Sequence, residues 1–196
     1  MPGFCTFPSV HKELALMKEI GFNTVRMFLD FDIWYHEREK FFDRIDRVLN
    51  IFKEYNIKLM PVLFNDCVSF GKPIDISIKK SIGRESWDKG YHGGHKDSPH
   101  VVAIDKKHGW IRWDEDSQRP YCEEFIRCII RRFKDDERII MWDLWNEPGN
   151  SKRNDLSIPY LKRAFARLRL AKCPDVCKLQ RYKNDADRQA RCLQAY

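Results

Sequence analysis

The chain has 196 residues, of which 43% are hydrophobic and 13% aromatic, and its formal net charge at pH 7 is +7. This length suits a single domain with a buried core. The sequence has no run of 18 apolar residues and no basic N-terminal stretch followed by an apolar one, so neither a membrane span nor a signal peptide is expected.

Helices and strands are predicted to alternate along most of the chain. Apolar residues at helical spacing indicate the helices, and short apolar runs rich in β-branched residues indicate the strands. The predicted elements are, in chain order, a helix over 10–20, a strand over 24–29, a helix over 41–55, a strand over 58–64, a helix over 120–133, a strand over 138–144 and a helix over 159–170. The long segment 65–116 has little periodicity, which is typical of a functional loop.

This alternation implies parallel strands joined by helical crossovers. The first strand is followed by Asp30-Phe31-Asp32-Ile33-Trp34 and not by a glycine-rich phosphate loop, which favours a barrel over a doubly wound sheet. A full (β/α)8 barrel takes about 250 residues, so the expected fold is a partial TIM barrel. We expect residues 1–170 to form this domain.

The positive charge lies at the C-terminal end of the chain. Residues 151–196 hold 12 Lys and Arg and four Asp, a net charge of +8, whereas residues 1–150 carry −1. No periodic pattern occurs beyond Pro174, so residues 171–196 are predicted to form an irregular basic tail. Basic residues can bind phosphate groups. The tail lacks alternating basic and aromatic residues, which disfavours nucleic acid as a partner.

Polar side chains and one tryptophan lie at the ends of the predicted strands, where a barrel carries its chemistry. They are, strand by strand, Arg26 with Asp30 and Trp34, Asn65 with Asp66, and Asn146 with Glu147. Glycoside hydrolysis needs a carboxylic acid that protonates the leaving oxygen and a second carboxylate across the anomeric carbon. Glu147 is the candidate for the acid.

The other candidates would hold the sugar. The amide of Asn146 can bind a hydroxyl group, and the carboxylate of Asp66 can accept hydrogen bonds from others. Trp34 and Trp145 are candidate rings for stacking on a sugar, and packing in the core is the alternative for both. An apolar surrounding keeps a carboxyl group protonated near neutral pH, and Trp145 lies close to Glu147 in the sequence.

The segment Asn146-Glu147-Pro148 after Trp142-Asp143-Leu144-Trp145 resembles the acid/base strand of clan A glycoside hydrolases, most closely the cellulase- and mannanase-like members of family 5. The run 21–26 is similar to the family's junction between helix and second strand, and the run 133–138 to its lead into the fourth. The resemblance covers about residues 10–165, so the visible strands would be the second to the fourth.

The resemblance implies a retaining hydrolase of β-linked polysaccharides or oligosaccharides. Glu147 would be the acid/base, Asn146 would bind the sugar 2-hydroxyl, and Arg26 would support the nucleophile. This chemistry needs no metal or organic cofactor. Histidines occur in the segment 65–116, but a solvated loop is favoured there over a metal site; they are His92, His95, His100 and His108.

The sequence departs from the family's pattern after Glu147. The family's nucleophile is a Glu on the seventh strand, yet no Glu follows Glu147 here. We therefore expect a truncated barrel and keep two functions open: a hydrolase whose nucleophile is missing from this chain, or an inactive barrel fragment that at most binds carbohydrate. Open strand edges would also favour self-association.

Overall fold

The computed structural model of the chain describes residues 7–66, 73–78, 111–150 and 154–172. Its helices are α1 (Phe7–Glu19), α2 (Phe31–His36), α3 (Arg38–Glu54), α4 (Arg119–Phe133) and α5 (Ile158–Lys172), and a short 3-10 helix (Asn154–Ser157) precedes α5. Its strands are β1 (Thr24–Phe28), β2 (Lys58–Asn65) and β3 (Asp143–Asn146). Within these ranges, no helix combines the length and hydrophobicity that a membrane crossing requires.

The three strands form one sheet in the order β1-β2-β3, and both neighbouring pairs are parallel. Helix α3 connects β1 to β2, and α4 precedes β3, as the alternation in the sequence predicts. The carboxyl ends of all three strands therefore meet at one edge of the sheet, where Asn65 of β2 is the register partner of Asn146 of β3.

Aromatic side chains join the sheet to the helices in the core. Phe125 of α4 is fully buried, and its ring contacts those of Phe31, Trp34 and Phe64 at centroid distances of 5.6, 5.1 and 5.7 Å. Phe64 belongs to β2, whereas Phe31 and Trp34 belong to α2. This cluster holds α2 against the sheet beside the carboxyl ends of the strands.

The sequence-based expectation did not include helix α2. Its N-terminal cap is Asp30, whose Oδ1 accepts hydrogen bonds from the backbone N–H groups of Asp32 (2.9 Å) and Ile33 (3.1 Å). An aspartate in this position satisfies N–H groups that have no partner within the helix. Asp30 therefore begins a helix, which is a structural explanation for a carboxylate at the end of β1.

Strand β3 begins at Asp143, later than the predicted start at residue 138. Leu59 of β2 forms an isolated bridge with Ile139, and Val62 of β2 pairs with Asp143. Three residues of the later segment thus lie opposite two residues of β2, which is a β-bulge. Ile140 and Met141 within the bulge are 48% and 53% exposed.

Pro61 of β2 accounts for this interruption. The N–H of Leu59 donates to the carbonyl of Arg138 (2.9 Å), and the carbonyl of Leu59 accepts from the N–H of Ile140 (3.0 Å). The backbone groups of alternate residues along a parallel strand point to the same neighbour, so the backbone nitrogen of Pro61, like that of Leu59, faces the segment that contains Arg138 and Ile140. Proline has no N–H to donate there. The predicted strand over 58–64 is confirmed, but its proline shortens the neighbouring strand.

The other predicted helices and the strand over 24–29 are present, with ends that differ by a few residues. Gly21 lies just beyond α1 with a φ angle of +87°, and the N–H of Phe22 donates to the carbonyl of Met17 (2.8 Å), as at many glycine-terminated helices. Most of the segment 65–116, its four histidines and residues 173–196 of the predicted tail lie outside the described residues.

Candidate active site

A hydrogen-bonded network crosses the carboxyl-end edge of the sheet. Arg26 of β1 donates from Nε and Nη2 to Oδ2 of Asp143 on β3, at 2.9 and 2.5 Å. The same Nη2 donates to Oδ1 of Asn146 at 2.7 Å, and Nδ2 of Asn146 donates to Oδ1 of Asn65 at 2.8 Å. The network joins side chains from all three strands.

The network fixes the orientation of the Asn146 amide. Its oxygen faces the Arg26 guanidinium and its nitrogen faces Asn65, because only that orientation satisfies both contacts. An amide oxygen has two lone pairs and an amide nitrogen has two hydrogens, and these contacts use one of each. The remaining lone pair and hydrogen give Asn146 the capacity to hold a sugar hydroxyl.

Glu147 lies directly after β3 in a strained turn. Its φ angle is +51°, in the left-handed region that few residues other than glycine adopt. Asn150 closes the turn, because its backbone N–H donates to the carbonyl of Glu147 (3.1 Å) and its side-chain Nδ2 donates to Oε2 of Glu147 (2.7 Å). A strained backbone persists only where its surroundings hold it, and such positions cluster at functional sites.

The surroundings of Glu147 differ from the expected apolar pocket. Glu147 is exposed, and Asn150, whose amide binds its carboxylate, is also exposed. Trp145 is 8% exposed and packs against Phe64 and Trp113, at centroid distances of 6.3 and 6.2 Å. Among the described residues, the carboxylate therefore faces solvent and an amide, whereas the neighbouring tryptophan belongs to the core.

Asp66 supports the turn that carries Glu147. Asp66 is only 5% exposed, and its Oδ2 accepts a hydrogen bond from the backbone N–H of Gly149 (3.3 Å). Its own N–H donates to the carbonyl of Asn146 (3.0 Å). The structure thus corrects the prediction that Asp66 binds sugar: a buried carboxylate bound to Gly149 positions the backbone on both sides of Glu147.

The prediction that Trp34 stacks on a sugar is also corrected. Trp34 has no exposed surface, because its ring packs against Phe31 and Phe125. The guanidinium carbon of Arg38 lies 4.3 Å from the centroid of the Trp34 ring. The short helix α2 turns this ring inward, so it cannot offer a face to a ligand. Burial argues against sugar stacking by Trp145 in the same way.

Two residues of the site were not singled out from the sequence. Asp143 anchors Arg26 through two hydrogen bonds, and it lies within the predicted strand over 138–144. Phe28 lies two residues after Arg26, on the same face of β1, and is 47% exposed. The alternation of side chains along a strand was the signal that could have found Phe28.

Two arginines of the basic C-terminal region form ion pairs with the domain. Nε of Arg163 and Nε of Arg167, both on α5, bind the two carboxylate oxygens of Glu123 on α4 at 2.6 and 2.9 Å. These two charges help to hold α5 against α4. A nucleic acid would compete with Glu123 for both of them.

No protein-family model matches the sequence, and no curated protein matches it. A solved structure described as a glycoside hydrolase superposes on the chain with a TM-score of 0.50 at 18% sequence identity, over 82% of this chain and 43% of that one. A family 1 β-glucosidase from Thermotoga maritima superposes with a TM-score of 0.49 at 16% identity, over 84% of this chain and 34% of that one. The chain spans less than half the length of these solved structures.

The first of these superpositions supports the expected fold class. The parallel sheet and its helices form a partial TIM (β/α)8 barrel. They superpose on part of the chain of that glycoside hydrolase. Identity of this level concerns the fold and leaves the particular family open. The assignments of Glu147, Asn146 and Arg26 therefore rest on the geometry of this chain.

Proposed function

We propose that the carboxyl-end edge of this sheet is a glycoside hydrolase site for β-linked polysaccharides or oligosaccharides, of the cellulase- and mannanase-like kind. The observation that carries the proposal is the network of Arg26, Asn146 and Asn65 beside the strained turn of Glu147. An oriented amide next to a carboxyl group is suited to a sugar hydroxyl next to a glycosidic oxygen.

Glu147 is proposed as the general acid and then the general base. Its proton passes to the glycosidic oxygen as the bond from that oxygen to the anomeric carbon breaks, and a nucleophile attacks the carbon from the opposite side. In the second step of a retaining reaction, the Glu147 carboxylate takes a proton from the attacking water. Asn146 would hold the 2-hydroxyl, and Arg26 would keep the Asn146 oxygen in place.

A second candidate function is carbohydrate binding without hydrolysis. A retaining enzyme holds its two catalytic carboxyl groups about 5–5.5 Å apart, and the resemblance assigns the second one to a Glu late in the chain. No Glu follows Glu147 in this sequence. The binding network does not depend on that residue, so affinity for sugar can exist without turnover.

A rescue experiment with an external nucleophile distinguishes the two functions. The purified chain is incubated with azide and with two aryl β-glucosides, 2,4-dinitrophenyl β-glucoside and phenyl β-glucoside. The corresponding two β-mannosides are tested in parallel. Azide can replace the missing carboxylate and yields the α-glycosyl azide as the aryloxide departs. Dinitrophenolate leaves without a proton, whereas the phenol needs one from Glu147.

Glu147→Gln is expected to slow release of phenol by about 10²-fold or more, the usual contribution of general acid catalysis, and to change the release of dinitrophenol much less. Glu137→Gln is the matched control, because Glu137 is exposed and precedes β3 at the opposite end of the strand. Equal rates for Glu147→Gln and the unaltered chain on both substrates would refute the acid role. Sugar binding with no release from either substrate would establish the second function.

A further inference from the structure

Phe28 is an exposed aromatic ring at the carboxyl end of β1, beside the proposed site. It is the last residue of the strand, and 47% of its surface is exposed. Many large aromatic side chains in the described part of the chain pack together in the core, as Trp34, Phe64 and Phe125 do. The exposure of Phe28 leaves apolar surface in contact with water next to a cluster of polar groups.

The ring is joined to the polar network through Arg26. The guanidinium carbon of Arg26 lies 4.9 Å from the centroid of the Phe28 ring, within the range of a cation–π contact. The same guanidinium donates to the oxygen of Asn146. An aromatic ring, a cation and an oriented amide thus lie in sequence along one edge of the sheet.

We propose that Phe28 is the residue on which a sugar ring stacks in this site, in the place that the sequence suggested for Trp34 and Trp145. This inference rests on the proposed function. A β-linked pyranose has one face covered by axial C–H groups and a rim of hydroxyl groups. Because the Arg26 guanidinium lies over the Phe28 ring, the C–H face of the sugar packs on the part of the ring that the guanidinium leaves exposed. The amide of Asn146, which Arg26 holds, is the neighbouring group for a hydroxyl.

The arrangement also explains why the guanidinium is held so firmly. Asp143 accepts two hydrogen bonds from Arg26, and they hold the guanidinium in its place over the ring. A guanidinium without this anchor could move and cover the part of the ring that is exposed. Asp143 therefore acts as a positioning residue that preserves both the amide contact and the exposed part of the ring.

The test is a calorimetric titration of the full chain with cellohexaose and with mannohexaose. Phe28→Ala and Phe28→Leu are expected to weaken binding about tenfold, the factor in Kd that corresponds to about 1.4 kcal/mol. Phe28→Tyr keeps the flat ring and is expected to stay within about twofold of the unaltered chain. Phe22→Ala is the matched control, because Phe22 is 57% exposed and precedes the opposite end of the same strand.

Each outcome separates this inference from the function on which it rests. If Phe28→Leu binds as tightly as the unaltered chain, the residue provides only bulk and the stacking assignment is wrong. If Asn146→Ala abolishes binding while Phe28→Ala leaves it unchanged, the site stands and Phe28 is not part of it. If the unaltered chain binds neither oligosaccharide, the proposed function and the assignment of Phe28 both fail.

Discussion

Gly149→Ala tests how tightly the turn that carries Glu147 is packed. Gly149 has a φ angle of +97°, and a Cβ atom on it would lie 2.9 Å from the carbonyl oxygen of Asn154 and 3.0 Å from Oγ of Ser157. Both distances are too short for ordinary contact. The backbone of the turn would have to move, and Glu147 would move with it.

Gly21→Ala is the matched control for this substitution. Gly21 has a similar φ angle of +87°, but a Cβ atom on it would meet nothing within 4 Å. The positive φ alone costs an alanine about 1–2 kcal/mol, which applies at both positions. The close approach at Gly149 adds a further 1–3 kcal/mol, the usual range for overpacking. Gly149→Ala should therefore cost about 2–5 kcal/mol.

Urea unfolding followed by circular dichroism measures both losses, and titration with cellohexaose measures the effect on the site. The difference in the free energy of unfolding between the two variants isolates the contact with Asn154 and Ser157. Gly149→Ala is also expected to weaken sugar binding, whereas Gly21→Ala should leave it unchanged. Equal losses of stability in the two variants would show that the turn has room for a side chain and would refute the packing argument.

Two further predictions concern acid stability and association. Hydrogen bonds from Arg138 lower the pKa of Asp136 below its ordinary value of 3.8. This pair therefore stabilises the fold fully above pH 3.8, and its contribution disappears as the pH falls through the lowered pKa. In urea unfolding experiments from pH 7 to pH 3, Asp136→Asn should reduce the loss of stability that occurs on acidification. Open strand edges predict self-association through a groove of about 400 Å³ beside β3, lined by Met141, Trp142, Leu161 and Phe165 among others. In sedimentation velocity, Met141→Lys should shift the chain towards monomer and Ile78→Lys, at another exposed apolar residue, should not; a sharp monomer peak for the unaltered chain would contradict the prediction.

The parts of the fold that local pattern determines could be predicted from the sequence. Helix α4 is an example, because its buried residues recur at helical spacing from Cys122 through Phe125 and Ile129 to Phe133. The start of β3 could not be predicted in this way. It depends on Pro61, which has no N–H to bond to a neighbouring segment that follows about 80 residues later in the chain. No local pattern in residues 138–144 indicates this interruption.

The same distinction between local pattern and long-range contact applies to the residues of the site. The roles proposed for Asn146 and Glu147 follow from their residue types and their position after a strand. Their partners do not follow from these, because Arg26 is 120 residues from Asn146 along the chain. Residue type could not decide between sugar stacking and core packing for the tryptophans. The cap at Asp30 and the turn of α2 place Trp34 in the core.

Binding and hydrolysis depend on different parts of such a barrel. Arg26, Asn65 and Asn146 come from three adjacent strands, so the contacts that orient the amide are complete within the described sheet. A retaining reaction also needs a carboxylate on the far side of the sugar, and in the resembling family that group belongs to a distant strand. On the proposed function, substitutions in β1 and β3 should change the affinity for oligosaccharides whether or not turnover occurs. The azide rescue experiment measures the need for that second carboxylate separately.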